Sequence, residues 1–245
     1  MSAPAAATAF DTAAVPVFPA AHRTRIKICG LTREQDVDTA VAAGADAVGF
    51  VLYAASPRAV TARRAAELAT RLPPFVTPVL LFVNEAPDSA LAALRAVPGA
   101  MAQFHGDETP AQCLESTAGG AWRFLRAARI PLGVAGGAFD LVKYASDFAA
   151  AQAILLDAHV EGYGGGGKAF DWSLLPHVAN AHLVLSGGLT PANVGDGIGL
   201  LRPRTRALAV DVSSGVEASK GIKDAGKIRE FVAAVRAADA LALPS

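Results

Sequence analysis

Cysteine is scarce: Cys29 and Cys113 are the two in 245 residues. They cannot build a disulfide framework and offer no CxxC metal spacing, so a reducing, cytoplasmic setting is expected. Neither sign of charge is in excess, with 22 Lys+Arg against 22 Asp+Glu. That balance gives no reason to expect non-specific attraction to nucleic acid or to a membrane surface, but it leaves room for a local basic site holding a small anion. No apolar run reaches the roughly 18 residues of a membrane span. Histidine is rare, at 5 in the chain. No second His or Glu stands at metal-ligand spacing from His105, so no metal site is expected. Residues 1–22 contain no Lys or Arg, and so lack the basic start of a signal peptide. They read as a flexible Ala/Pro-rich extension ahead of the fold.

Apolar material, by contrast, is plentiful. Hydrophobic residues make up 52% of the chain and charged ones 18%, enough for a large core. Short β-rich apolar runs recur at Arg25–Ile28, Ala47–Leu52, Val79–Val83, Met101–Phe104, Trp122–Leu125, Ile154–Leu156, Leu183–Leu185 and Ala207–Val210. Between them lie Ala-rich segments of helical period. One opens at Thr32, read as an N-cap; another follows Val60; a third follows Thr190-Pro191, read as N-cap and N1. Runs that are apolar throughout suit parallel strands covered on both faces. Eight strand-plus-crossover units without an interdomain linker predict a single-domain α/β fold, a (β/α)8 TIM barrel over residues 23–240. An open doubly wound sheet is the competitor, but its first βα turn usually carries GxGxxG, and here that turn reads Cys29-Gly-Leu-Thr.

Barrel enzymes place their chemistry at the C-terminal ends of the strands. Read in order, the runs end in Cys29 and Gly30, in a loop reaching Arg58, in Asn84, in His105-Gly106, in Arg126, in Asp157, in Ser186-Gly187-Gly188, and in Asp211-Val-Ser213-Ser214-Gly215. Glycine pairs let backbone N–H groups approach an anion, so the last two loops predict a phosphate site. A carboxyl at a barrel mouth can act as general acid, and a thiol can act as base, which makes Asp157 and Cys29 the candidate pair. Arg58 is a candidate clamp for a carboxylate; His105 and Asp211 complete the substrate-binding candidates. Cys113 lies inside the helical segment after Pro110 and reads as a small buried hydrophobe. Gly162–Lys168 satisfies GxxxxGK, but Ala169 stands where a P-loop needs Ser or Thr. A loop closing over a ligand is the better expectation there.

These strand ends carry a resemblance. KICGLT from Lys27, GFVL from Gly49 with SPR at 56–58, FVN at 82–84, QFHGDE from Gln103, LLD at 155–157, GGGKAFDW from Gly165, SGGLTP from Ser186, DVSSGVE from Asp211 and GIKD at 221–224 resemble the phosphoribosylanthranilate isomerase family of tryptophan biosynthesis. The likeness runs from about Arg25 to Ala238, essentially the whole predicted domain. The family usually has Leu where Phe104 stands and often Thr where Gly166 stands.

The resemblance implies an Amadori rearrangement of N-(5-phosphoribosyl)anthranilate, an aminoaldose, to 1-(2-carboxyphenylamino)-1-deoxyribulose 5-phosphate, with no cofactor. Asp157 matches the family's acid and Cys29 its base. Arg58 would hold the anthranilate carboxylate, and Gly187, Gly188, Ser213, Ser214 and Gly215 the phosphate. Two alternatives stand beside it: the histidine-pathway aminoaldose isomerase, which has Asp where Cys29 stands, and a non-catalytic phosphate-binding barrel. Indole-glycerol-phosphate synthase is set aside, because its catalytic lysine has no counterpart: Lys27 lies inside strand one. The expected partner is a phosphorylated small molecule, on a monomer or a homodimer.

Overall fold

A computed structural model describes residues 23–131, 139–158, 172, 181–205 and 207–241. Eight strands, β1 (Arg25–Cys29), β2 (Ala47–Val51), β3 (Thr77–Phe82), β4 (Met101–Phe104), β5 (Phe124–Ile130), β6 (Ala153–Ala158), β7 (Leu183–Leu185) and β8 (Leu208–Val212), close into a parallel barrel. Each pairs with its sequence neighbour, and β1 pairs with β8 to seal the ring. The predicted fold is the observed one. The helices α1 (Glu34–Ala43), α2 (Ala62–Ala69), α3 (Pro87–Ala96), α4 (Pro110–Glu115), α5 (Leu141–Asp147), α6 (Val194–Leu201) and α7 (Ala225–Leu241) lie between or after the strands. A short hairpin, β9 (Glu217–Ser219) with β10 (Ile222–Lys223), follows β8. The expectation of a flexible extension falls on residues 1–22, outside the described residues.

Alternate strand residues face opposite sides of the sheet. Val79, Leu125, Ala127, Ala153, Leu155 and Val184 pack together inside the barrel. Their neighbours of opposite parity, among them Ile26, Ile28, Val48, Phe50, Leu80, Phe82, Phe104 and Phe124, join the larger core under the helices. Phe104 stacks there at 6.0 Å from Phe82 and 5.6 Å from Phe124, so its departure from the family's Leu lies on the face away from the mouth.

The largest difference from the sequence reading is β5. The apolar run Trp122–Leu125 predicts a strand ending before Arg126, yet the strand runs Phe124–Ile130 and contains both Arg126 and Arg129. A parallel ladder pairs backbone groups and is indifferent to side-chain polarity where a polar group finds partners. For the same reason Cys29, Asp157 and Asp211 are inside strand ends instead of following them. Two helix starts also differ. The Thr32 hydroxyl donates to the Gly221 carbonyl at 3.0 Å, and α1 begins after Arg33 without a side-chain cap. Helix α6 begins at Val194; Asn193 Oδ1 accepts from the Thr190 N–H at 2.8 Å, so the turn at Thr190-Pro191 is closed by asparagine. The start at Thr61 behaves as its residue type predicts, its side chain accepting from Arg64 N–H.

Candidate active site

Lys27 and Cys29 are two residues apart on β1 and so share its inner face. Both lie over Gly49 of β2: a Cβ added there would stand 2.6 Å from Cys29 Sγ and 3.1 Å from Lys27 Nζ. Glycine leaves the space these two groups occupy. Lys27 Nζ donates to Asp211 Oδ1 at 2.9 Å, both side chains being 5% exposed. The β1–β8 register places Lys27 beside Asp211, so the pair follows from strand alignment. Burial pushes the Cys29 thiol above its ordinary range, Lys27 acts in the opposite sense, and Asp211 adds a smaller upward push. Burial works against the Lys27 ammonium, but Asp211 and Cys29 outweigh it and raise that group.

Three steps round the barrel, with β7 and β8 between, β6 presents Asp157. Its Oδ1 accepts from the Ala158 N–H at 2.9 Å, and its Oδ2 lies 2.8 Å from His105 Nε2. Gln103 Nε2 in turn lies 3.1 Å from His105 Nδ1. Gly187 has φ +76°, and a Cβ there would stand 2.7 Å from Asp157 Oδ1, so only glycine fits both the turn and the carboxylate beside it.

Arg58 is 8% exposed, and its guanidinium binds Glu217 two-pronged, Nε to Oε1 at 2.7 Å and Nη2 to Oε2 at 2.8 Å. Nη1 is the edge without a protein partner among the described residues. Glu217 also accepts from Lys223 Nζ at 3.0 Å, and Lys223 donates to the Ser213 carbonyl at 2.9 Å. Burial acts to raise the Glu217 carboxyl, but Arg58 and Lys223 together hold it below the usual range. The loops after β7 and β8 touch closely: a Cβ on Gly215 would stand 1.9 Å from the Leu189 carbonyl oxygen. Gly187, Gly188, Ser213, Ser214 and Gly215 are thereby gathered around one stretch of the rim.

The structure thus brings Cys29, Asp157, His105, Arg58, Asp211 and the two glycine loops to one end of the barrel. Arg126, read as a strand-end group, is corrected. It shares parity with Phe124 and points under the helices, donating to the Phe104 and Gly106 carbonyls at 2.9 and 3.1 Å and lying 4.9 Å over the Phe148 ring. Asn84 is also structural, accepting from the Asp107 N–H at 2.7 Å in the loop beyond β4. Cys113 is fully buried in α4. The loop expected to close over a ligand, Gly162–Lys168 with Gly166, lies outside the described residues. Sequence reasoning missed Lys27, Gln103, Glu217 and Lys223. For the first two a signal existed: each lies two residues before a named candidate, Lys27 before Cys29 on β1 and Gln103 on β4 before His105 just beyond it. Among the described residues no cluster of three or more His, Cys, Asp or Glu could hold a metal ion, and no helix is long and apolar enough to cross a membrane.

Residues 26–234 match the family described as N-(5'phosphoribosyl)anthranilate (PRA) isomerase. A curated N-(5'-phosphoribosyl)anthranilate isomerase of Methylibium petroleiphilum is 63% identical over 218 residues, covering 89% of this chain and 96% of its own. The crystal structure of the Thermotoga maritima phosphoribosyl anthranilate isomerase is 39% identical, with a TM-score of 0.75 over 87% of this chain and 99% of that one. A similar structure, 34% identical with a TM-score of 0.70 over 87% and 99% of the two chains, is a phosphoribosyl anthranilate isomerase in complex with reduced 1-(o-carboxyphenylamino)-1-deoxyribulose 5-phosphate.

Proposed function

The chain belongs to the N-(5'-phosphoribosyl)anthranilate isomerase family, and we propose that it performs that family's aldose–ketose rearrangement with Asp157 as acid and Cys29 as base. The activity is that of the tryptophan-biosynthetic isomerase, acting on a phosphorylated small molecule. The roles of individual residues are our reading, and one observation carries it: a carboxyl and a thiol face the same barrel mouth from β6 and β1, with the glycine loops after β7 and β8 between them.

The substrate has two anionic ends. The phosphate is held by backbone N–H groups of Gly187, Gly188 and Gly215 and by Ser213 and Ser214. The anthranilate carboxylate meets the remaining Nη1 edge of Arg58, whose other edge is fixed by Glu217. Anchoring both ends sets the ribose between acid and base. Asp157 gives a proton to the furanose ring oxygen; the C1–O bond breaks, its electron pair goes to that oxygen, and the nitrogen lone pair forms the Schiff base. Cys29, as thiolate, removes the proton from C2, and the electrons of the C–H bond flow to the iminium to give the enolamine. Protonation at C1 and loss of the hydroxyl proton at C2 yield the ketone. Substrate and product contain the same atoms, and no redox partner enters.

Lys27 supports the base by placing positive charge beside the developing thiolate, and Asp211 holds Lys27 there. Asp211 acts through the lysine, and His105 acts on Asp157 instead of on the substrate. A barrel that only bound phosphate would have no use for the Cys29–Lys27 and His105–Asp157 pairs. The cytoplasm is the setting this reading assigns.

A coupled fluorescence assay tests it, with phosphoribosylanthranilate made in situ from anthranilate and phosphoribosyl pyrophosphate. Wild type is expected to turn over, while Asp157→Asn and Cys29→Ala each lose roughly 10²- to 10⁴-fold in kcat. Normal turnover by folded Cys29→Ala would sink the base.

A further inference from the structure

We propose that Gln103 is a positioning residue for the acid: it fixes His105 as the Nε2–H tautomer and so aims an imidazole N–H at Asp157 Oδ2. The inference rests on the reading of Asp157 as the acid. Gln103 is fully buried on the inner face of β4, two residues before His105. Its amide nitrogen, 3.1 Å from His105 Nδ1, can only donate. With the amide so placed, Nδ1 presents its lone pair and a ring proton lies on Nε2, 2.8 Å from Asp157 Oδ2.

This orientation leaves one end of the amide unsatisfied. Gln103 Oε1 is buried without a hydrogen-bond partner among the described residues. Turning the amide over would let that oxygen accept from an Nδ1–H, but once Asp157 has given up its proton Nε2 would face the carboxylate lone pair to lone pair. The orphaned oxygen is what the arrangement accepts in order to point a donor at Asp157. Other charged groups nearby are already engaged: Arg126 with Glu108 at 3.1 Å behind the sheet, and Arg129, beside Asp157 in the β5–β6 register, with Asp107 at 3.1 Å.

The arrangement matters to one step. When Asp157 gives its proton to the ring oxygen, a negative charge is left on the carboxylate. Nε2–H at Oδ2 and the Ala158 N–H at Oδ1 are both in place to receive it. Such donors stabilise the state after transfer without reorganising during it. The opposite tautomer would present a lone pair to the same charge.

Two measurements on the full-length protein test this. Long-range ¹H–¹⁵N spectra of the free enzyme are expected to show His105 protonated at Nε2 and bare at Nδ1. In Gln103→Glu, whose carboxylate only accepts, the proton is expected on Nδ1, with kcat down roughly a hundredfold and KM within about twofold. Gln103→Leu removes the control without adding a charge; mixed tautomers and roughly a tenfold loss in kcat are expected, and it carries the test if the glutamate variant does not fold. An Nδ1–H tautomer in the wild type, or wild-type kcat in a folded Gln103→Leu, would overturn the proposal. Full turnover by Asp157→Asn would instead overturn the acid assignment beneath it, and it reads out independently of the tautomer.

Discussion

The two ends of the barrel are built from the same kinds of charged residue and use them differently. At the end where β1 begins, Asp239 accepts from the Thr24 N–H at 3.0 Å and the Thr24 hydroxyl at 2.6 Å, and it pairs with Arg202. Arg236 donates to the Thr24 carbonyl at 3.0 Å, and Asp46 accepts from the Ile26 N–H at 2.9 Å. These acids are tied to backbone, so each bond fixes where a strand or a terminal helix lies. At the mouth each acid meets a basic side chain close to the rim: Asp211 meets Lys27, Glu217 meets Arg58 and Lys223, and Asp157 meets His105 while its other oxygen accepts from the Ala158 N–H. Among those partners Arg58 keeps its Nη1 edge clear of protein partners among the described residues. Charge at the first end closes the barrel; charge at the mouth lines the end where barrel enzymes carry their chemistry.

That contrast predicts opposite readouts for substitutions at the two ends. The largest effect is expected at the mouth from Lys27→Met. With the cation gone, the already elevated Cys29 thiol is pushed further up by burial and by Asp211. With Cys29 proposed to act as thiolate, kcat/KM should rise with pH, and that rise should move to higher pH, with a loss of about tenfold or more near neutrality. A pH–rate profile superimposable on wild type would show that Lys27 does not act on Cys29. At the other end, Asp239→Asn should lower stability by about 2 kcal/mol while leaving kcat unchanged, as read by thermal unfolding beside the assay. Burial acts to raise the Asp239 carboxyl, but Thr24 and Arg202 outweigh it and hold it below the ordinary range. Its stabilisation is therefore present above the unfolded pKa of about 3.9 and is lost as pH falls through the lower folded value, so the gap between wild type and variant should close in acid. The smallest effect is expected from Cys113→Ala. Burial pushes that thiol up to about 12, so in the native protein it should resist thiol reagents at neutral pH, and the variant should keep normal turnover with about 1 kcal/mol lost from the core. Rapid labelling of native Cys113 would contradict its burial.

The barrel is legible because eight largely apolar strand runs alternate with helical segments and the first βα turn lacks GxGxxG. What misled the eye was polarity inside strands. Arg126 and Arg129 truncated the reading of β5, although each finds partners that let it stay in the ladder. Candidates such as Cys29, Asp157 and Gly215 are legible because a motif ends or follows a strand there. The side chains that contact those candidates carry no such motif. Lys27 was dismissed for lying within β1, yet the period of two that puts it there also puts it on the face of Cys29. Glu217 could not have been matched to Arg58, since 159 residues separate them and only barrel closure brings them together. Pairing across the barrel is a property of register, which no local pattern in the chain records.

The carboxylate of Glu217, shared between Arg58 and Lys223, has one more consequence, for ionic strength. Mobile ions screen charges that water reaches, and they act weakly on pairs sealed from it. Arg63–Glu67 and Arg71–Asp38 lie on exposed surface, and their attraction should fade in concentrated salt. Arg58, Glu217 and Lys223 have side chains 9%, 6% and 0% exposed, so the shape they give the rim should persist there. With a formal net charge of zero, the chain also has no net monopole for salt to screen. Added salt should therefore compete for the phosphate loops as a rival anion while leaving the architecture that holds Arg58 in place untouched.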